Sequence, residues 1–483
     1  MSGVGDENVV ADLRAENAAL RTENAELREQ LTAALKLVAD LRREVAELRE
    51  RQDQNSQNSS RAPSTDTQST RDSRPKKKKG RKRGGQPGHK GHDRMLLPVD
   101  QRNVRDVKPD RCKGCGSKLE GEDSNPHRHQ VVEVPEPKPE VREARLHELE
   151  CGCCGAKTRA ELPADFPRGG YGPRLVVTIA LLSGKFRLSK RLTVCLLANL
   201  YGIPISLGSV IHCEQIASEA VAKPVQEARD YVKEQTVKHA DESGWAEGPN
   251  RSKAWLWVAT TAFVTVFRIH ARRGTAVAMG LLGKACGILV SDRWCAYEWW
   301  PLKQRQLCWA HIKRHFKKMN EAGDPIAARI GGALLAQEKR LFELWRRVRD
   351  GTLERSSFQT YASEIRCRVR ELLEEGKSCS HKFTATTCKE LLRMESAMWT
   401  FVRIEGVEPT NNHGERAIRP GVIWRKISFG THSCWGSRFV ERMLSVVQTL
   451  KLQDRDAHTF LTECVTAHIF GKPVIASLLP QAA

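Results

Sequence analysis

The sequence predicts a multidomain α/β protein. A mixed-sheet core carries an all-helical insertion, and a coiled coil, a zinc ribbon and a helix-turn-helix-like helical unit precede it. Three observations lead there: an N-terminal heptad repeat, a pair of CxxCG turns, and a β-rich region from about residue 236 followed by a long helical stretch. At 483 residues the chain exceeds one ordinary core, and its 40% hydrophobic content suffices for several globular units.

The heptad runs from Val10 to Leu48. Its d positions are Leu13, Leu20, Leu27, Ala34, Leu41 and Leu48, and its a positions are Val10, Asn17, Asn24, Leu31, Val38 and Val45. A 3.5-residue period sustained this long predicts a left-handed coiled coil, and Asn at a favours a parallel, in-register dimer. A helix packed on its own protein would show a wider apolar stripe. A homodimer or higher oligomer through this segment is therefore expected.

Residues 52–75 are polar and cannot bury surface, so a linker is expected. The formal charge is +21, and it is clustered. Residues 71–94 hold eleven Lys or Arg against two Asp. Within them Lys76, Lys77, Lys78, Lys79, Arg81, Lys82 and Arg83 form a glycine-flanked basic arm. Such an arm can follow phosphates or enter a minor groove, so double-stranded DNA is the expected partner, although a solvated charge run has the same composition.

No apolar run reaches membrane-span length, and the N-terminus is acidic rather than signal-like. A cytoplasmic, nucleoid-associated protein without membrane contact is expected. Fifteen cysteines in such a compartment argue for metal ligands and buried thiols rather than disulfides. Cys112 and Cys115, with Cys151 and Cys154, make two knuckles, each followed by glycine. Four thiolates on two such turns form a closed, structural Zn2+ site. Cys153 is a spare, and His127 and His129 are weaker alternatives.

The helix predicted over 188–200, the Tyr201-Gly202-Ile203-Pro204 turn and the capping Ser206 have helix-turn-helix spacing. Gly208, Ser209 and His212 would face outward, but any helical hairpin gives this pattern. Strands are expected over 237–241, 254–260 and 264–270, with a polar break over 244–251, a helix over 275–282 and a buried strand over 287–290. Three strands, a helix and a further strand suit a ribonuclease-H-like sheet. Residues 317–400 are helical in pattern.

Three acids stand in marked contexts: Asp241 in HADESGW, Asp292 in GILVSDRW and Glu415 in PTNNHGERAIRP. Phosphodiester cleavage needs an activated oxygen and a stabilised leaving oxygen, which two Mg2+ (or Mn2+) ions on a few carboxylates supply. Each acid alone also has a structural reading: a turn residue, a helix N-cap, or, for Glu415, capping-box spacing from Asn412. Glu242, Glu405 and Glu408 stay open as substitutes. Arg416 and Arg419 flank Glu415 and could pair with phosphates or form surface ion pairs, and Arg425 and Lys426 extend the basic edge.

These stretches, with GRKRGGQPGHKGH, KAWLWVA, SDRWCAY, CWAHIKRHF and WRKISFGTHSCWGSRF, resemble the transposases of the bacterial insertion sequence 66 family, in order from about residue 80 to 460. The resemblance implies an aspartate-aspartate-glutamate (DDE-type) transposase on a ribonuclease-H-like fold with a helical insertion. Its triad falls on Asp241, Asp292 and Glu415, with Ser243 where the family often has Thr. It also suggests small accessory proteins as partners. Cys308 and His311 resemble a Cys-x-x-His signature of insertion-bearing transposases; with His315 they share a helix face, and support of the active site is expected over ligation.

The expected units are a coiled coil (1–52), a linker and basic arm (53–95), a zinc-binding domain (96–165) and a helical DNA-binding domain (166–236). The catalytic core (237–316 and 401–450) flanks a helical insertion (317–400), and a helical tail (451–483) ends the chain. The expected reaction is metal-dependent cleavage at element ends, then strand transfer into target DNA. None of the five tyrosines (Tyr171, Tyr201, Tyr231, Tyr297, Tyr361) has the Arg/His setting of a tyrosine recombinase. A non-catalytic dimeric regulator, a stand-alone metal-dependent nuclease and an inactive relic are the rivals.

Overall fold

A computed structural model describes residues 4–52, 54–59, 66 and 95–480. Helix α1 (Val4–Gln52) is continuous across the heptads. Its leucine seam stays in solvent, with Leu13, Leu20, Leu27, Leu41 and Leu48 all exposed. Asn17 and Asn24 donate back to the carbonyls of Leu13 and Leu20. The basic arm, Lys76 to Lys79 and Arg81 to Arg83, lies outside the described residues.

Between residues 95 and 165 no residue is buried. Strands β1 (Glu148–Glu150) and β2 (Lys157–Arg159) pair antiparallel around the second knuckle. Helices α2 (Pro173–Gly184), α3 (Lys190–Tyr201), α4 (Leu207–Ala220) and α5 (Ala222–Glu234) follow. The expected turn forms: Gly202 ends α3 in the left-handed region, and the Ser206 hydroxyl accepts from the Ser209 N–H at 3.0 Å.

The central sheet has the order β5-β4-β3-β6-β7. Strands β3 (Val237–Glu247), β4 (Ser252–Thr260) and β5 (Thr265–His270) form an antiparallel meander. After α6 (Thr275–Leu282), β6 (Ile288–Ser291) pairs parallel to β3, and β7 (Arg305–Leu307) pairs parallel to β6. Strand β3 runs six residues past the predicted end. The expected polar break over 244–251 is paired to β4 as far as Glu247. A later loop holds it there: Thr431 N–H donates to Ala246 O and Gly248 N–H to Thr431 O. Asp241 therefore sits in mid-strand, not at a strand edge.

The helical stretch expected over 317–400 starts earlier and ends slightly later: it comprises α7 (Trp309–Asn320), α8 (Pro325–Arg349), α9 (Arg355–Gly376), α10 (Lys382–Arg393) and two single turns, α11 (Glu395–Met398) and α12 (Thr400–Arg403). Then come α13 (Asn412–Ser428), α14 (Cys434–Leu452) and α15 (Ala457–Ile469).

Two apolar cores meet across β6, whose alternation divides them: Leu289 joins the first, Ile288 and Val290 the second. The first core is continuous from α2–α5 through β4 and β5 to α14 and α15, so the helices over 166–236 share a core with the sheet. The second fills the insertion. Its centre is Trp309, fully buried, 5.1 Å from Trp399, with its indole N–H donating to Met398 O. Each fully buried Val, Leu or Ile contributes roughly 1.5–3 kcal/mol.

Strand β5 would leave a bare edge, a template for unwanted pairing. Helix α14 covers it with side chains one turn apart. Thr449, Ser445 and Glu441 accept from the backbone N–H groups of Thr265, Phe267 and Ile269 at 3.0, 2.9 and 2.6 Å.

Candidate active site

Alternation on β3 puts His239, Asp241 and Ser243 on one face and Glu242 on the other. Helix α13 lies over the first face. Asn411, buried just before that helix, donates from Nδ2 to Ala240 O (2.8 Å) and stands 3.0 Å from His239 Nδ1. Arg425 donates to Gly244 O (2.5 Å) and Ser243 Oγ (3.2 Å). Close approach of α13 requires Gly421, where a Cβ would fall 2.2 Å from Leu256 Cδ2. These contacts hold the first turn of α13, which carries Glu415, near enough to β3 for the Glu415 charge to act on Asp241.

The capping-box reading from Asn412 does not apply, because Asn412 is the first helical residue rather than the cap; the cap position falls on Asn411, whose side chain reaches the sheet instead of its own helix. Asp292 follows β6 immediately, one strand from Asp241. Its Oδ1 accepts from Trp294 N–H at 2.9 Å, a turn closure. Arg305 on β7, fully buried, donates to the Asp292 carbonyl at 3.1 Å and to Ser291 Oγ at 3.3 Å. It fixes the loop that carries Asp292.

The charges of Asp292 and Glu415 both bear on Asp241. Burial raises the Asp241 carboxyl well above its ordinary range, and the charges of Glu242, Asp292 and Glu415 push it further. The opposing influence is the Glu242 N–H, which donates to Asp241 Oδ1. Glu242 itself is raised by burial and by Asp292, but is answered on its own face. Tyr297 donates to it at 2.5 Å and Arg273 at 2.7 Å. The Arg273 guanidinium lies between Trp255 and Trp294, 4.5 and 3.8 Å from their ring centroids. Glu242 is thus a paired side chain of the opposite face, and Glu405 and Glu408 are exposed.

Cys308 caps the start of α7 and is buried; its sulfur accepts from Asn411 N–H at 3.1 Å. His311, one turn on, places Nδ1 3.8 Å from Glu415 Oε1. Cys308, His311 and Glu415 offer a sulfur, a nitrogen and an oxygen within 4.8 Å of one another. Burial pushes the Cys308 thiol up to about 11 and lowers His311. His315 does not join them. It packs against Phe383, 5.9 Å between rings, and burial takes its imidazole down to about 3.

The expected basic edge is divided. Arg416, Arg419 and Lys426 are exposed, whereas Arg425 is half-buried and spent on β3. On α4, Gly208 and His212 are exposed, and Ser209 is half-covered beside Ser206.

The knuckles form as turns. Gly116 and Gly155 take left-handed φ of 77° and 73° and donate to Cys112 O and Cys151 O. The Cys151 thiol is lowered by the backbone N–H groups of Cys153 and Cys154, and then by the Cys154 side chain. Cys115 is lowered by Ser117 and Cys112. The structure does not gather Cys112, Cys115, Cys151 and Cys154 into one compact ligand group. That segment has no apolar core to close it.

Sequence reasoning missed Asn411, Arg305 and Glu441. A single polar residue is a faint signal when its partners lie on other elements, distant in sequence for Asn411 and Glu441 and across the sheet for Arg305. Among the described residues no helix is long and apolar enough to cross a membrane.

A family model described as Transposase IS66 family matches residues 169–438. A second, described as a family of unknown function (DUF6444), matches residues 7–95. The chain is 28% identical over 257 residues to the uncharacterized protein y4qI of Sinorhizobium fredii (strain NBRC 101917 / NGR234). That match covers 47% of each protein, so the chain spans about half the length of this relative.

Proposed function

The chain belongs to the IS66 family of transposases, and on that premise we propose that it cuts DNA at the ends of its element and joins the freed 3′ ends to target DNA. The observation that carries this is the convergence of three elements: β3 with Asp241, the end of the adjacent parallel strand β6 with Asp292, and the first turn of α13, tied to β3 by Asn411 and Arg425, with Glu415. A mixed five-stranded sheet in the order β5-β4-β3-β6-β7 supports the ribonuclease-H-like reading.

The three acids fit divalent metal. Asp241 is raised by burial and three neighbouring acids, and Glu415 Oε1 is buried without a hydrogen-bond partner among the described residues. A cation answers both. Mg2+ or Mn2+, held there, would activate the attacking oxygen and neutralise charge at the scissile phosphate. Asp241, Asp292 and Glu415 would hold it. Arg305 and Asn411 position those acids by fixing the Asp292 loop and the start of α13. Arg416 and Arg419, exposed beside Glu415, would pair with neighbouring phosphates.

The exposed leucine seam of α1 suits a second copy of this helix, which would hold two element ends together. The knuckle cysteines Cys112, Cys115, Cys151 and Cys154 would take one structural Zn2+ that supplies the closure the segment's own residues do not. The basic arm and the exposed face of α4 would contact DNA. A strand-transfer assay with pre-cleaved element ends and supercoiled target tests the reading. Joined products are expected; hydrolysis without joining would reduce the protein to a nuclease.

A further inference from the structure

We propose that Cys308, His311 and Glu415 form a zinc site that competes with the magnesium chemistry. Two observations support it. The first is the donor set: a sulfur from the α7 cap, an imidazole nitrogen one turn later and a carboxylate oxygen from the first turn of α13, all within 4.8 Å. The second is that two of these atoms are orphaned. His311 Nδ1 and Glu415 Oε1 are each buried without a hydrogen-bond partner among the described residues. They stand 3.8 Å apart, too far to bond each other but a suitable span for two ligands of one ion.

Buried polar atoms left in this way are costly, and a bound ion relieves both at once. A sulfur, nitrogen and oxygen set suits Zn2+, whereas Mg2+ demands oxygen ligands. Three protein ligands leave a fourth position open. The Cys308 thiol proton leaves to solvent as the ion binds, and thiolate and carboxylate together balance the ion's charge. The Cys308 sulfur keeps the Asn411 N–H as an outer partner, which fixes its direction.

The consequence rests on the transposase reading. Zinc that takes Glu415 Oε1 turns the carboxylate toward α7 and leaves the magnesium centre at most Oε2, so it weakens that centre. The site is a zinc-operated brake on cleavage.

The test counts zinc in the full-length chain, exchanged into buffer of fixed free Zn2+, for wild type, His311→Ala and Cys308→Ser. Wild type is expected to hold one zinc per chain more than either variant, with unchanged far-ultraviolet circular dichroism. Should Cys308→Ser misfold, His311→Ala and Glu415→Gln carry the comparison. Added Zn2+ at constant Mg2+ should suppress wild-type cleavage tenfold or more and leave the residual rate of His311→Ala insensitive. Equal zinc content in wild type and His311→Ala overturns the site. An extra zinc without suppression overturns the brake. A chain that never cleaves DNA but still binds the extra zinc would sink the transposase chemistry alone.

Discussion

Asn411 and His239 meet 3.0 Å apart, 172 positions apart in sequence, at the junction of helix α13 and strand β3. The same Asn411 side chain donates to Ala240 O, and its backbone N–H reaches Cys308 Sγ. One buried residue therefore ties together the elements bearing Asp241, Glu415 and the Cys-x-x-His turn.

Removing that tie leaves buried polar groups without partners, each of which costs about 1–3 kcal/mol. Asn411→Ala should lower thermal stability by that order and reduce cleavage by more than DNA affinity. Melting curves and a gel-shift measurement beside the cleavage rate check this. Unchanged cleavage in a folded variant would remove Asn411 from its positioning role.

Glu441 makes a second such prediction. Its buried carboxylate accepts from Ile269 N–H at 2.6 Å, Arg229 at 3.1 Å and Arg438 at 2.9 Å. Glu441→Ala exposes the β5 edge and strands a guanidinium, which should cost roughly 3–5 kcal/mol. Glu441→Gln keeps an acceptor and should cost less. Denaturant unfolding of the two variants gives the order.

Acid sensitivity follows from His239, which burial beside His413 holds down to about 4 from an ordinary 6.5. The folded state binds fewer protons there than the unfolded chain. Its contribution is intact above pH 6.5 and is lost as pH falls toward 4, a loss of up to about 3 kcal/mol. His315, taken down to about 3, acts in the same direction. The melting temperature should fall across this window, and His315→Leu should make the fall shallower.

Much of this was legible from local pattern. The apolar runs of β4, β5 and β6 and the heptad of α1 are periodic, and Ser206 and Gly202 are local punctuation. The extension of β3 was not, because Glu242, Ser243, Gly244 and Glu247 interrupt the apolar pattern and the strand end is held by Thr431 from far downstream. Strand β7 was hidden for a similar reason. Its Arg305 and Gln306 are buried polar residues whose partners, Asp292, Met398 and Phe401, come from other elements. The acids Asp241, Asp292 and Glu415 stood out by context, but the elements that carry them are held by Asn411 and Arg305, which no local spacing marks.

The most direct measurement is single-turnover cleavage of an element-end duplex in Mg2+ by wild type, Asp241→Asn, Asp292→Asn and Glu415→Gln, with DNA affinity recorded for each. The predicted result is a loss of at least about a thousandfold in rate for every variant, with affinity retained. Any one variant that binds DNA and cuts it at the wild-type rate would contradict the carboxylate site.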